Sequence, residues 1–302
     1  MASASPHRGT RPFFLHIAKI SALCFFGVVT FSGCANRIKI SLAQSLVADV
    51  AKATERHDDP ALVVQSMPAF LLLLEGLIEE NPRNTDLLFT ACEAYASYAT
   101  LIELNDKERA HKSYGRAKEF GFRALQTHQK IAPLLDTPLG EFSTITDLLR
   151  PRDLPLVFWT ASAWGGWIST NLESMAALAD LPKVIHLMEW VIGVDERFKH
   201  AAPHLFLGVY YAALPPMLGG QPERALHHFD RSYELTEGKS LMVSVLKARY
   251  YARQVFDQTL HDRLLREALN SETASDASEL LLQNELAKNM ARHLLGESDA
   301  FF

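Results

Sequence analysis

Apolar residues recur along most of this chain at the alternating three- and four-residue steps that line one face of a helix. Leu87, Ala91, Ala94, Tyr98 and Leu101 follow this spacing, and so do Ala110, Tyr114, Ala117, Gly121 and Ala124. Leu241, Val245, Ala248, Ala252 and Val255 repeat it near the C-terminus. No stretch alternates with the period of two that a half-buried strand requires. Breaks fall at His57-Asp58-Asp59-Pro60, Asn81-Pro82 and Asn105-Asp106. The pattern therefore predicts helices over 38–56, 60–80, 86–104 and from Asp106 through Ala124. Asp59 followed by Pro60 suits an N-cap and a first helical turn. Leu71, Leu72, Leu73 and Leu74 in succession predict burial on several sides of their helix. Further helices are expected over 154–171, 181–195, 202–214, 222–236, 241–256, 260–269 and 278–295.

Between these groups, residues 132–153 carry Pro133, Pro138, Gly140 and Pro151, with Pro155 just beyond, and exclude one long helix. A short helix near Phe142 to Leu149 fits, in a segment that either covers a cavity or simply connects. Helix pairs joined by short turns fold back as antiparallel hairpins. The predicted class is all-α, a TPR-like array of antiparallel helix hairpins forming an α-α superhelix. Ala225, Phe229 and Ser232, like Ala110, Tyr114 and Ala117, resemble the small-aromatic-small pattern of a second TPR helix. Val184, Met188 and Val191 keep only the spacing, so an ordinary helical bundle is the alternative.

The N-terminus changes the compartment. Arg8, Arg11 and Lys19 precede an uncharged apolar run from Ile20 to Phe31. Such a run is shorter than the ~20 residues that span a bilayer and matches a signal-peptide core. Phe31-Ser32-Gly33-Cys34 follows and resembles a lipobox, departing from it at Phe31, where Leu is usual. The expected division is a lipoprotein signal peptide over 1–33 and a helical domain over 34–302, anchored by a lipid on Cys34. Ala35 is not a retention aspartate, which favours the outer over the inner membrane on the periplasmic side. Losing three cations and no acid takes the net charge from −5 to −8. An acidic chain without a basic stripe disfavours nucleic acid. Of the three cysteines, only Cys92 is left to the domain, so no internal disulfide forms, and Cys92 reads as core.

No phosphate loop, dinucleotide fingerprint, nucleophile elbow or HExxH motif is present. His200 and His204 stand four apart but have Pro203 between them and no third ligand, so no metal site is assigned. Glu79 and Glu80 read as solvated surface. No catalytic residue and no cofactor is expected, and the chain is read as a non-enzyme. The most distinctive segment is Phe158 to Ser169, FWTASAWGGWIS. At about 100° per residue, Trp159, Trp164 and Trp167 fall within roughly 140°, while Gly165 and Gly166 gather on the other side. The glycines suggest close approach to a neighbouring helix. The indoles either fill the core or face a ligand or partner.

That Trp-rich segment resembles part of the TatT component of TRAP (tripartite ATP-independent periplasmic) transporters. Leu218-Gly219-Gly220-Gln221-Pro222-Glu223-Arg224-Ala225 with His228-Phe229, and Lys247-Ala248-Arg249-Tyr250-Tyr251-Ala252 with Leu264-Leu265, resemble it in the same order. Asp is usual where Gln221 stands, and Gln is the weaker N-cap. The resemblance implies a periplasmic TPR-like lipoprotein that forms a homotrimer, docks the TRAP substrate-binding protein, and offers an apolar ligand a central hole. It needs no ATP site, because these transporters run on ion gradients. The competing readings are a TPR lipoprotein that scaffolds envelope assembly and, less favoured, an enzyme.

Overall fold

Asp59 opens the first long helix, α1 (Pro60–Glu80), by accepting the backbone N–H groups of Ala61 and Leu62. Pro60 sits in the first turn, where its missing N–H costs no hydrogen bond. Asn84 caps α2 (Thr85–Ile102) in the same way, through Asp86 and Leu87, and Asp106 caps α3 (Lys107–Gln126) through Arg109. The sequence-predicted starts thus coincide with side chains that satisfy orphan amides. The computed structural model describes residue 1 and residues 49–214, 219–271 and 275–302. The proposed signal peptide, Cys34 and most of the helix expected over 38–56 lie outside the described residues. Residues 50–302 form one compact unit.

α1 buries Val63, Met67, Leu71, Leu74 and Ile78, one face only. Leu72 and Leu73 are 69% and 51% exposed, which corrects the expectation that the leucine run is buried on several sides. The reason is position: among the described residues α1 packs chiefly on α2 and more lightly on the helix Leu281–Gly296, which leaves the side that carries Leu72 and Leu73 uncovered. α1 is long and apolar enough to cross a membrane, yet Glu75 at its middle is hydrogen-bonded by Tyr95 and ion-paired at 2.6 Å with Arg116.

α2 and α3 form a closely packed hairpin, with Ala91, Ala99, Ala110 and Ala117 fully buried. Residues 127–153 follow as short turns, including a helical turn at Leu139–Phe142 and a 3₁₀ turn at Ser143–Asp147. They do more than connect. Ile131, Leu135, Phe142 and Ile145 are buried and belong to the main core.

α4 (Leu154–Ser169) is the centre of that core and packs on α2, α3 and α5 (Leu181–Asp195). It tolerates three neighbours because small residues occupy the crossings. A Cβ added at Gly165 would stand 2.5 Å from the Phe206 ring, and one at Gly166 would overlap Tyr114. From the facing side, Gly121 of α3 leaves room for Thr160, which is fully buried. The two glycines thus meet different helices, so small residues do not form one face opposite the indoles.

α5 is followed by α6 (Phe198–Ala213), which pairs with α7 (Pro222–Leu235), Gly208 lying beneath the Phe229 ring. Gln221 makes no side-chain cap at α7, in keeping with its weak capping chemistry. α8 (Leu241–Leu246) continues through a π-helical turn, Lys247–Ala252. α9 (Gln258–Asn270) and α10 (Leu281–Gly296) complete a second core with α8. Buried Asn284 of α10 accepts the Leu241 N–H and donates to the Lys239 carbonyl, both at 3.0 Å, clipping α8 to α10. The class is all-α, with no strand among the described residues.

The glycine contacts give a paired test by urea unfolding. Tyr114 is held by Thr100 and Glu103 at 3.1 and 2.9 Å, so it has little freedom to yield. Gly166→Ala is expected to destabilise by about 1–3 kcal/mol through overpacking. Gly193→Ala, on an exposed turn of α5 with open space around it, is expected to stabilise by up to about 1 kcal/mol through helix propensity.

Candidate functional site

The three indoles singled out by sequence have three different environments. Trp164 is 1% exposed. Its ring meets Phe122 and Phe142 edge-on at 4.9 and 6.0 Å, and its N–H is buried without a partner. Trp164 therefore fills the core, the first of the two alternatives that the indole sector leaves open. Trp159 and Trp167 are half-buried and lie eight residues apart, about 12 Å along the helix at 1.5 Å per residue. They do not converge on one cavity.

Trp159, at the start of α4, packs on Phe158 and lies beside Glu93 of α2, which its N–H helps to hold ionised. Burial raises the Glu93 pKa, with Glu55 adding to the effect and Lys199 opposing it. Lys199 ties this corner together, 2.8 Å from Glu55 and 3.8 Å from Glu93. Lys199, His200 and Ala201 carry φ of 46°, 58° and 58°, a left-handed kink within the first turn of α6. Such a conformation costs roughly 1–2 kcal/mol per residue without glycine. The two ion pairs and the burial of Ala201 offset part of that cost.

Trp167, at the far end of α4, lines a pocket of about 300 Å³ with Gly115, Lys118, Glu119 and Phe122 of α3. Its ring stacks on His111 at 5.8 Å, and His111 hydrogen-bonds Thr170 at 2.9 Å. Lys118 Nζ lies 4.2 Å from the Trp167 ring centroid, 5.2 Å from Trp164 and 5.3 Å from Phe122. Glu119 faces Arg116 and Arg123 at 2.7 and 3.5 Å. Sequence reasoning missed Lys118. Its i,i+4 spacing to Phe122 on α3 was the available signal.

His200 and His204 do not form a pair. His200 is held in the left-handed kink, while His204 is buried against His228 with Nδ1 to Nδ1 at 2.9 Å. Among the described residues no group of three or more His, Cys, Asp or Glu is placed to hold a metal. His204 Nε2 faces Glu196 at 3.4 Å, an electrostatic contact rather than a formed hydrogen bond. Between two neutral imidazoles one Nδ1 donates and the other accepts, the direction following the tautomers of the pair. Tyr211 stacks on His228, and Glu196 is itself bound by Arg231 at 2.6 Å. Cys92 is fully buried, and burial pushes its thiol pKa up to about 12, so it is inert at neutral pH.

A family model described as the TRAP transporter T-component matches residues 56–302. The chain belongs to this family. The match covers every long helix described above and all three indoles of α4. Members of the T-component family are parts of a transporter, and the chain accordingly has an accessory role in TRAP transport. A search among curated proteins found no match.

The histidine pair generates a pH prediction. Burial lowers His204 below its usual 6.5 and takes His228 from 6.5 to about 4, with His204, His227 and Arg224 adding to the shift at His228. The unfolded chain therefore binds more protons between these values, and stability falls as pH drops from 6.5 towards 4. Each histidine contributes at most about 1.4 kcal/mol per pH unit in this window. Urea midpoints measured across pH 4–7 should show this slope, and His204→Leu/His228→Leu should flatten it.

Proposed function

We propose that the chain is the lipid-anchored periplasmic adaptor of a TRAP transporter, docking the substrate-binding protein and holding an apolar ligand against Trp167. Membership of the T-component family over residues 56–302 carries this reading. A transporter component works by contact with its partners, and α1 leaves Leu62, Leu72 and Leu73 at least half exposed, an apolar face available for burial by another protein. The open pocket beside Trp167 supports the ligand reading, since indole offers an apolar body with one polar N–H. Half-buried Trp159, beside Glu93, serves as a further contact point, while Trp164 supports both from the core. The anchor is a diacylglycerol on Cys34 after removal of residues 1–33, on the periplasmic side and preferably at the outer membrane. The working state is a homotrimer.

Isothermal titration of the lipidated protein with its cognate TRAP substrate-binding protein tests docking, and saturable binding is the expected result. Leu72→Glu/Leu73→Glu should weaken binding at least tenfold while leaving the fold intact, because both side chains point to solvent. Absence of binding by the wild type overturns the adaptor reading. Sedimentation should give a trimer at micromolar concentration, and Cys34→Ser should abolish labelling by a fatty-acid probe.

The ligand arm uses N-phenyl-1-naphthylamine, an uncharged apolar fluorophore. Wild type should enhance its emission and Trp167→Ala should not, while losing less stability than the about 3–5 kcal/mol expected of a fully buried Trp such as Trp164.

A further inference from the structure

Lys118 is the charged side chain of the Trp167 pocket that forms no close ion pair among the described residues. Lys183, the other cation beside Trp164, is paired with Asp180 at 3.1 Å. Glu119 in the pocket wall is answered by two arginines. Lys118 makes no ion pair and no hydrogen bond among the described residues; its ammonium lies only against three aromatic rings. Cation–π contact holds the ammonium against the rings but engages none of its three N–H donors in a hydrogen bond to the protein, so they stay open to water or to a bound anion. Burial, helped by Lys183, depresses the Lys118 pKa against the pull of Asp180 and Asp136. A cation held partly out of water gains most from an anion that reaches it.

A second donor lies in the same wall. The indole N–H of Trp167 makes no hydrogen bond to the protein and is not buried. Gly115 faces that edge of the ring, where an added Cβ would stand 3.4 Å from Cδ1 and 3.7 Å from Nε1. Phe122 and the Trp167 face supply an apolar floor.

We infer that this pocket binds a carboxylate carried on an apolar or aromatic body, the carboxylate on Lys118 and Trp167 N–H and the body against Phe122. The inference rests on the reading of the Trp167 pocket as a ligand site and specifies its ligand class. An ionised donor–acceptor pair is roughly twice as strong as a neutral one, so charge decides the preference.

The test is calorimetric titration of the full chain at pH 7 with phenylacetate and with phenylacetamide, its uncharged near-isostere. Phenylacetate is expected to bind at least tenfold tighter. Lys118→Met should bring the two to equal affinity, Lys118→Arg should retain the preference, and Trp167→Leu should weaken both. Equal affinity of the two probes for wild type overturns the carboxylate assignment while leaving an aromatic-binding pocket in place; this comparison needs no variant to fold. A tenfold preference that survives in folded Lys118→Met also overturns it. Binding of neither probe overturns the assignment, and if N-phenyl-1-naphthylamine binding also fails, the ligand reading falls with it.

Discussion

Burial of one indole, that of Trp164, sets the position of nearly everything around it. Its ring needs matched aromatic neighbours on more than one side, and it receives Phe122 from α3 and Phe142 from the irregular segment before α4. Those partners come from elements separated in sequence, so α4 must be surrounded. At its middle such a helix has no solvent side onto which bulk can be displaced, and close packing makes each added methylene costly. Gly165 and Gly166 meet that constraint at the crossings with α6 and α3, and Gly121 meets it from the facing helix. The same burial explains why residues 127–153 fold as tight turns. They carry core side chains and cannot wander.

The helix that is fixed at its middle carries its two remaining indoles to opposite ends. One end is a polar corner in which Lys199 joins Glu55 and Glu93 beside Trp159, across a left-handed kink of three residues. The other is an open aromatic pocket around Lys118. The two ends differ in how their charge is balanced. Lys199 is ion-paired with carboxylates, whereas Lys118 forms no ion pair among the described residues and lies against ring faces. Membership of the T-component family gives this chain, with its packed centre and chemically distinct ends, an accessory role in TRAP transport.

Much of the architecture was legible in the order of residues. Cap residues Asp59, Asn84 and Asp106 stand where helices begin, because capping is satisfied within three residues of chain. The step of three and four found the buried faces of α2 and α3, because helical period is local. The glycine pair correctly announced close approach, and the family resemblance rested on blocks of sequence that the family match also spans.

What depended on neighbours was not legible. Leu71 to Leu74 read as buried on several sides, but coverage of a helix is a property of what packs against it, and α1 is covered mainly by α2. The three indoles share a sector of one helix, yet Phe122 and Phe142 close over Trp164 alone. His204 pairs with His228 across 24 positions rather than with His200 across four, since a left-handed kink takes His200 out of regular helical geometry. The sequence determined the helices, their ends and the residues able to form a core. Tertiary structure alone decided which of those residues lost access to water and which charges kept no partner, because burial and pairing are set by through-space contacts between segments far apart in the chain.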